Sequence, residues 1–217
     1  FMSTHIFFDL DGTLTDSKPG IIRSVEHALN FFHMHVPSEQ LIPFIGPPLR
    51  DSFAPFFDND AARVDLAIQK YREYYNVKGI FENSLYDGIA DLLRELQGQG
   101  RRLCVATSKP EPFARRVLEH FRINGFFSLV AGAELHGARN NKTDVLRYAC
   151  AQWGIEDMRS CLMVGDRKYD VQGAHAVGMA CAGVLYGYGS REELAEARAD
   201  YLCATVPDLR RLLLGEL

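Results

Sequence analysis

Short apolar runs alternate with helix-period segments along most of this 217-residue chain, and no other feature narrows the possible fold as far. Ile6-Phe7-Phe8 reads as a first strand, followed by Leu103 to Ala106, Leu129 to Ala131, Cys161 to Val164 and Ala182 to Leu185. Between them lie segments with core-facing spacing of about 3.6 residues. Ile89, Leu92, Leu93 and Leu96 follow a capping Asp87; Phe113, Val117, Leu118 and Phe121 follow Pro110. Asp144 to Trp153 and Val171 to Val177 also read as helices, and Ser190-Arg191-Glu192-Glu193 has the form of a capping box. Strands separated by helices must run parallel, because each helix carries the chain back across the sheet. The expected fold class is therefore α/β, a doubly wound parallel sheet. From Pro19 to Tyr75 the rhythm changes to helix alone, with Ile21, Ile22, Val25, Leu29 and Phe32 on one face and Val64, Ile68, Tyr71 and Tyr75 on another. This predicts a helical insertion after the first strand, with the sheet resuming near Leu85.

Ligands of open parallel sheets bind beyond the carboxyl ends of the strands, so the polar residues that follow each apolar run are the ones to inspect. Asp9 and Asp11 follow the first run, Thr107-Ser108-Lys109 the second, and Asp166 with Asp170 the fourth; Lys142 opens a helix between the third and fourth. Three acidic side chains converging on one crevice repel one another unless a cation joins them, and Mg²⁺, which takes oxygen ligands, suits such a set. A calcium loop counted from Asp9 fails, since Leu14 and Gly20 stand where a glycine and a bidentate acid are required. Thr107 can also serve as a cap for the helix at Pro110, and Asp170 as a helix N-terminal acid. Gly187-Tyr188-Gly189 is read as a turn, with Glu192 where a dinucleotide fingerprint needs glycine.

Three segments together carry a resemblance: Asp9-Leu10-Asp11-Gly12-Thr13-Leu14-Thr15-Asp16-Ser17, Val105-Ala106-Thr107-Ser108-Lys109-Pro110, and Val164-Gly165-Asp166-Arg167-Lys168-Tyr169-Asp170. In order and spacing the sequence resembles the haloacid dehalogenase-like phosphatases, nearest to the phosphoglycolate phosphatase and 5′-nucleotidase-like branch with a helical cap. The resemblance implies residues 1–15 and 85–217 as the catalytic core and residues 16–84 as the cap. It implies that Asp9 attacks phosphorus and forms an aspartyl-phosphate. Asp11 would protonate the leaving oxygen and ligate Mg²⁺ through its carbonyl. Thr107 and Lys142 would hold the phosphoryl group, Asp166 would ligate the metal, and Asp170 would bind it or orient a metal-bound water. Gly12, Ser108 and Lys109 would line the phosphate site. Lys142 departs from the branch: it sits in Asn140-Asn141-Lys142-Thr143-Asp144 without the prolines of the usual Lys-Pro-x-Pro run, and Lys109 is its rival. The loop Ile45-Gly46-Pro47-Pro48-Leu49-Arg50 is expected to face the site, with the Arg50 guanidinium suited to carboxylate or phosphate.

Composition removes other classes. Net charge is −4 with acids and bases dispersed, so no nucleic-acid partner is expected, and no apolar run is long enough to span a membrane. Five unpaired-looking cysteines and the lack of a leader pattern favour the cytoplasm. Phe1 ahead of Met2 is expected to be foreign to the natural chain. The expected partner is a small phosphorylated metabolite, phosphoglycolate or a nucleoside monophosphate among them. Other uses of the same scaffold are weaker. A dehalogenase has no need of Asp11. A sugar phosphomutase typically carries a histidine where this chain has Asp16 to Ile21. A phosphonoacetaldehyde hydrolase needs a Schiff-base lysine, for which the cap offers Lys70 and Lys78 without recognisable context. A catalytically silent binding protein is at odds with the complete set of carboxylates. Oligomeric state is not legible.

Overall fold

A computed structural model describes residues 4–135 and 137–216; Phe1 lies outside them. In chain order the elements are β1 (His5–Phe8), β2 (Thr15–Asp16), α1 (Lys18–Phe31), α2 (Leu49–Phe53), α3 (Ala61–Tyr75), β3 (Ser84–Leu85), α4 (Ile89–Gly98), β4 (Arg102–Pro110) and α5 (Glu111–His120). There follow β5 (Leu129–Ala133), α6 (Lys142–Trp153), β6 (Cys161–Gly165), α7 (Lys168–Ala176), β7 (Ala180–Val184), α8 (Arg191–Glu196), β8 (Tyr201–Cys203) and α9 (Val206–Leu214). Six strands form one parallel sheet in the order β5-β4-β1-β6-β7-β8, the doubly wound α/β arrangement that strand–helix alternation requires.

Both faces of the sheet are buried, and side-chain alternation sorts them. Ile6, Phe8, Leu103, Val105, Leu162 and Val164 pack with α4, α5 and α9, while Phe7, Cys104, Ala106, Cys161 and Met163 pack with α6 and α7. Neighbouring residues of one strand thus enter opposite cores, which is why each run is apolar throughout instead of alternating. β1 lies centrally, with β4 on one side and β6 on the other. The winding direction reverses there, and a crevice opens at the carboxyl ends of β1 and β6. Phe8 is level with Val164, so Asp9 and Asp166 emerge from adjacent strands almost side by side.

The helical segment from Lys18 to Phe81 stands between the short strands β2 and β3, which pair antiparallel as Thr15 with Leu85 and Asp16 with Ser84. Leu85 therefore belongs to this ribbon, and the main sheet resumes only at Arg102. Two-residue strands have no periodicity to read, and β8, three residues long and mostly exposed, has little more. Two expected caps also differ. The residue preceding α4 is Gly88 at φ 85°, not Asp87. At α8 the Ser190 hydroxyl accepts the Glu193 N–H, but the Glu193 carboxylate takes Arg167 Nε at 2.8 Å instead of closing the box. Among the described residues no helix is long and apolar enough to cross a membrane.

Candidate active site

Where β1 ends, the chain makes a tight loop that projects two carboxylates to one side. The Asp9 N–H still pairs with the β6 carbonyl of Val164 at 2.9 Å, so its side chain is fixed by the sheet itself. Leu14 and Thr15 then donate back to the Leu10 carbonyl, and Gly12 to that of Thr15. Gly12 is required at φ +83°, and a Cβ there would lie 2.2 Å from Asp166 Oδ2.

The buried cluster holds four carboxylates, Asp9, Asp11, Asp166 and Asp170, against two lysines. Lys142, the first residue of α6, places Nζ 3.0 Å from Asp9 Oδ2 and 2.8 Å from Asp170 Oδ1, and donates to the Ala106 carbonyl at 2.8 Å. The contact with Asp170 has ion-pair distance without hydrogen-bond direction, and Asp170 Oδ1 accepts no hydrogen bond among the described residues. Asp170 Oδ2 takes the Arg167 N–H at 3.0 Å, so the same carboxylate caps α7 and faces the cluster. Lys109 Nζ lies 2.7 Å from Asp11 Oδ2, leaving Asp11 Oδ1 buried and without a hydrogen bond among the described residues. The two lysines thus hold different carboxylates and are not rivals for one position.

Burial dominates the electrostatics. It pushes Asp9 up to about 6, even though Lys142 beside it pulls the other way. Burial also raises Asp166 well above the carboxylate range, reinforced by the charges of Asp170 and Asp9. For Lys142 burial works against the charged form, but Asp170 and Asp9 together hold its pKa above the ordinary range. The fold therefore binds protons on Asp9 and Asp166 more tightly than the unfolded chain does. That contribution is fully present below about pH 4, and for Asp9 it is lost as pH rises through about 6. In a chelating buffer, Asp9→Asn is expected to gain stability relative to the parent across that interval, measured as the difference in urea midpoints. Parallel curves would show that the buried charge of Asp9 carries no penalty.

One oxygen each from Asp9, Asp166 and Asp170 lie within 4.8 Å of one another. Ligands at the ~2.0–2.1 Å Mg²⁺ distance are roughly 3–4 Å apart, so a small contraction onto a hard cation suffices. The all-oxygen donor set and the excess of carboxylates over lysines in the cluster fit such an ion. The Asp11 side chain does not join this set.

Thr107 and Lys109 lie on the end of β4 where pairing with β5 skips from Ala106 to Pro110. The Thr107 hydroxyl accepts the Lys109 N–H at 3.2 Å and is not the α5 cap; that position is Pro110, which has no side-chain bond to offer. Ser108 beside it is half-buried. Arg50 is exposed on α2, and its guanidinium pairs with Asp65 of α3. The guanidinium that meets the loop before α2 is instead Arg167, whose Nη1 donates to the Ile45 carbonyl at 2.5 Å.

Tyr188 is a further participant. Its N–H donates to Asp166 Oδ2 at 2.7 Å, and its hydroxyl donates to Asp16 Oδ1 at 2.8 Å, tying the β2–β3 ribbon to the acidic cluster. Gly187 is there because a Cβ would lie 2.3 Å from the Gly12 carbonyl oxygen and 2.4 Å from Asp166 Cβ. The sequence did carry a signal: two glycines flanking an aromatic residue just beyond the carboxyl end of β7, at the end of the sheet where the acids stand.

Residues 6–184 match the family model described as haloacid dehalogenase-like hydrolase, and the chain belongs to that family. It is 43% identical over 210 residues to the 5′-nucleotidase of Pseudomonas aeruginosa, covering 96% of this chain and 95% of that one. It is also 43% identical over 211 residues to the tyrosine-protein kinase PtkA of Mycobacterium tuberculosis, covering 96% of this chain and 72% of that one. A crystal structure of a "predicted phosphatase" from Clostridium acetobutylicum superposes with a TM-score of 0.95 at 42% identity, covering 99% of this chain and 100% of that one. Family, fold and relatives define this chain as a phosphatase of the haloacid dehalogenase-like class.

Proposed function

We propose that the chain is a Mg²⁺-dependent phosphomonoesterase that works through an aspartyl-phosphate at Asp9. The observation that carries this reading is the pairing of a strand-fixed carboxylate with a neutralising lysine: Asp9 Oδ2 with Lys142 Nζ at 3.0 Å, in a cluster able to hold a cation. Asp9 attacks phosphorus, the bond from phosphorus to the ester oxygen breaks, and Asp11 supplies the proton that the departing alcohol needs. Asp11 then takes a proton from water, which attacks the phosphorus of the aspartyl-phosphate and releases inorganic phosphate with Asp9 restored. Asp11 Oδ1, buried and unbonded among the described residues, is the atom free to face the leaving oxygen. Thr107 donates its hydroxyl hydrogen to a phosphoryl oxygen, and Lys142 compensates the charge of nucleophile and phosphate. Asp9, Asp166 and the Asp11 carbonyl would hold Mg²⁺, with Asp170 binding it or orienting a metal-bound water, and the bound ion would supply the charge neutralisation that lets one anion approach another.

The helical segment within residues 16–84 serves as a cap over the core, and the substrate is a small phosphorylated metabolite such as phosphoglycolate or a nucleoside monophosphate. All five cysteines are free and buried, which suits a reducing compartment such as the cytoplasm. Hydrolysis of p-nitrophenyl phosphate is expected to disappear with chelator and return with Mg²⁺. Ca²⁺, larger and less demanding in geometry, is expected to restore it poorly. A folded protein with no metal-dependent turnover would instead be a binding protein. Because one relative is named a tyrosine-protein kinase, transfer to a tyrosine hydroxyl is the second reading. Release of inorganic phosphate without any acceptor protein decides for water.

A further inference from the structure

Tyr75, near the C-terminal end of α3, is 2% exposed, and its hydroxyl oxygen has no hydrogen-bond partner among the described residues. A buried hydroxyl left in that state costs about 1–3 kcal/mol, so its retention asks for a reason. Packing does not supply one, because phenylalanine would fill the same space. Tyr71 stacks on the ring at 5.3 Å between centroids and 19° between planes, and Phe113 meets it edge-on at 5.8 Å. The ring also lies 5.0 Å from Lys109 Nζ, and Lys109 in turn holds Asp11. Burial is the main influence on the Tyr75 hydroxyl, and Asp11 is the leading charge acting on it. Lys109 thus joins Tyr75 of the helical segment to Asp11 of the core, and each of these two residues carries a buried oxygen without a hydrogen-bond partner among the described residues.

We propose that the Tyr75 hydroxyl is a specificity-determining group that hydrogen-bonds an oxygen on the leaving alcohol, one or two atoms from the ester oxygen that Asp11 protonates. This rests on the phosphomonoesterase reading and deepens it. The favoured substrates are phosphate esters of small alcohols bearing a second hydroxyl or carboxylate near the ester. Simple alkyl phosphates leave the phenol unsatisfied, and a site built around such a bond discriminates against the analogue that lacks it.

The test compares 2-hydroxyethyl phosphate with ethyl phosphate as substrates for the parent and for Tyr75→Phe, with thermal denaturation of both proteins. The parent is expected to prefer the hydroxylated ester by about tenfold or more in kcat/KM, the size of one well-made neutral hydrogen bond. In Tyr75→Phe that ratio is expected to collapse toward one while Tm holds or rises, because an unsatisfied hydroxyl has been removed. A purely structural role would lower both rates in parallel, preserve the ratio and depress Tm. A parent ratio near one, or a ratio preserved in the variant, overturns the proposal; the parent ratio alone decides if the variant does not fold. Turnover of ethyl phosphate by the parent, absent in Asp9→Asn, upholds the phosphomonoesterase reading separately, so the two can fail independently.

Discussion

Asp9→Asn is expected to lower kcat for any phosphate ester by about 10⁴-fold or more while leaving the fold intact, because the amide keeps the shape of the carboxylate but is no nucleophile. The side chain it replaces is buried, held through Oδ1 by the Leu10 N–H at 2.7 Å and through Oδ2 by Lys142. Burial already opposes the charge of Asp9, raising its pKa to about 6, so the neutral substitute relieves a cost in the metal-free protein. Loss of turnover and gain of metal-free stability are expected together. Weaker Mg²⁺ binding should accompany them, since one of the carboxylates that would hold the ion has gone. Phosphate release and urea denaturation in chelator read the two effects; a variant that is inactive because it is unstable contradicts the reading.

Lys142→Met should produce the larger structural effect. Nζ of Lys142 serves Asp9, Asp170 and the Ala106 carbonyl at once, and no other described lysine pairs with Asp9 or Asp170. Removing one partner of a buried ion pair typically costs about 3–5 kcal/mol, because the remaining charges are left without compensation. Methionine keeps most of the apolar stem, so the loss reports charge more than volume. Mg²⁺ should recover part of the stability by taking over the neutralisation of the same carboxylates, and recover it more fully than in the parent. Turnover should remain depressed by about 10²–10³-fold even with saturating metal, since the lysine also compensates charge on the transferring group. Denaturation curves with and without Mg²⁺ check this. A cost below about 1 kcal/mol would mean that Lys142 is not the principal counter-charge.

The sheet was legible in the sequence because each of its five longer strands is an apolar run bounded by polar residues, and strands buried on both faces leave that pattern. The carboxylates were legible for a related reason: a charged residue directly after a buried strand has to be satisfied by something. What escaped was set by contacts distant in sequence. Lys109 looked like a competitor of Lys142 until the fold placed it on Asp11. The partner Arg50 takes in the free protein, Asp65 on the next long helix, was likewise not readable from its loop. Tyr188 acts on Asp166 through its backbone N–H, and a backbone donor has no residue type by which to recognise it. Glu193 had a local partner available and took Arg167, which the tertiary fold brought close, while the Thr107 hydroxyl accepted the N–H of Lys109 two residues along instead of capping α5.

Chemical trapping tests the central claim most directly. Turnover quenched into borohydride should reduce an aspartyl-phosphate to homoserine, and mass spectrometry of the peptide spanning Ile6 to Thr15 should find that conversion at residue 9, only with substrate and Mg²⁺ present. Phosphate release without modification at Asp9, or reduction at a different carboxylate, would contradict the assignment of Asp9 as the nucleophile.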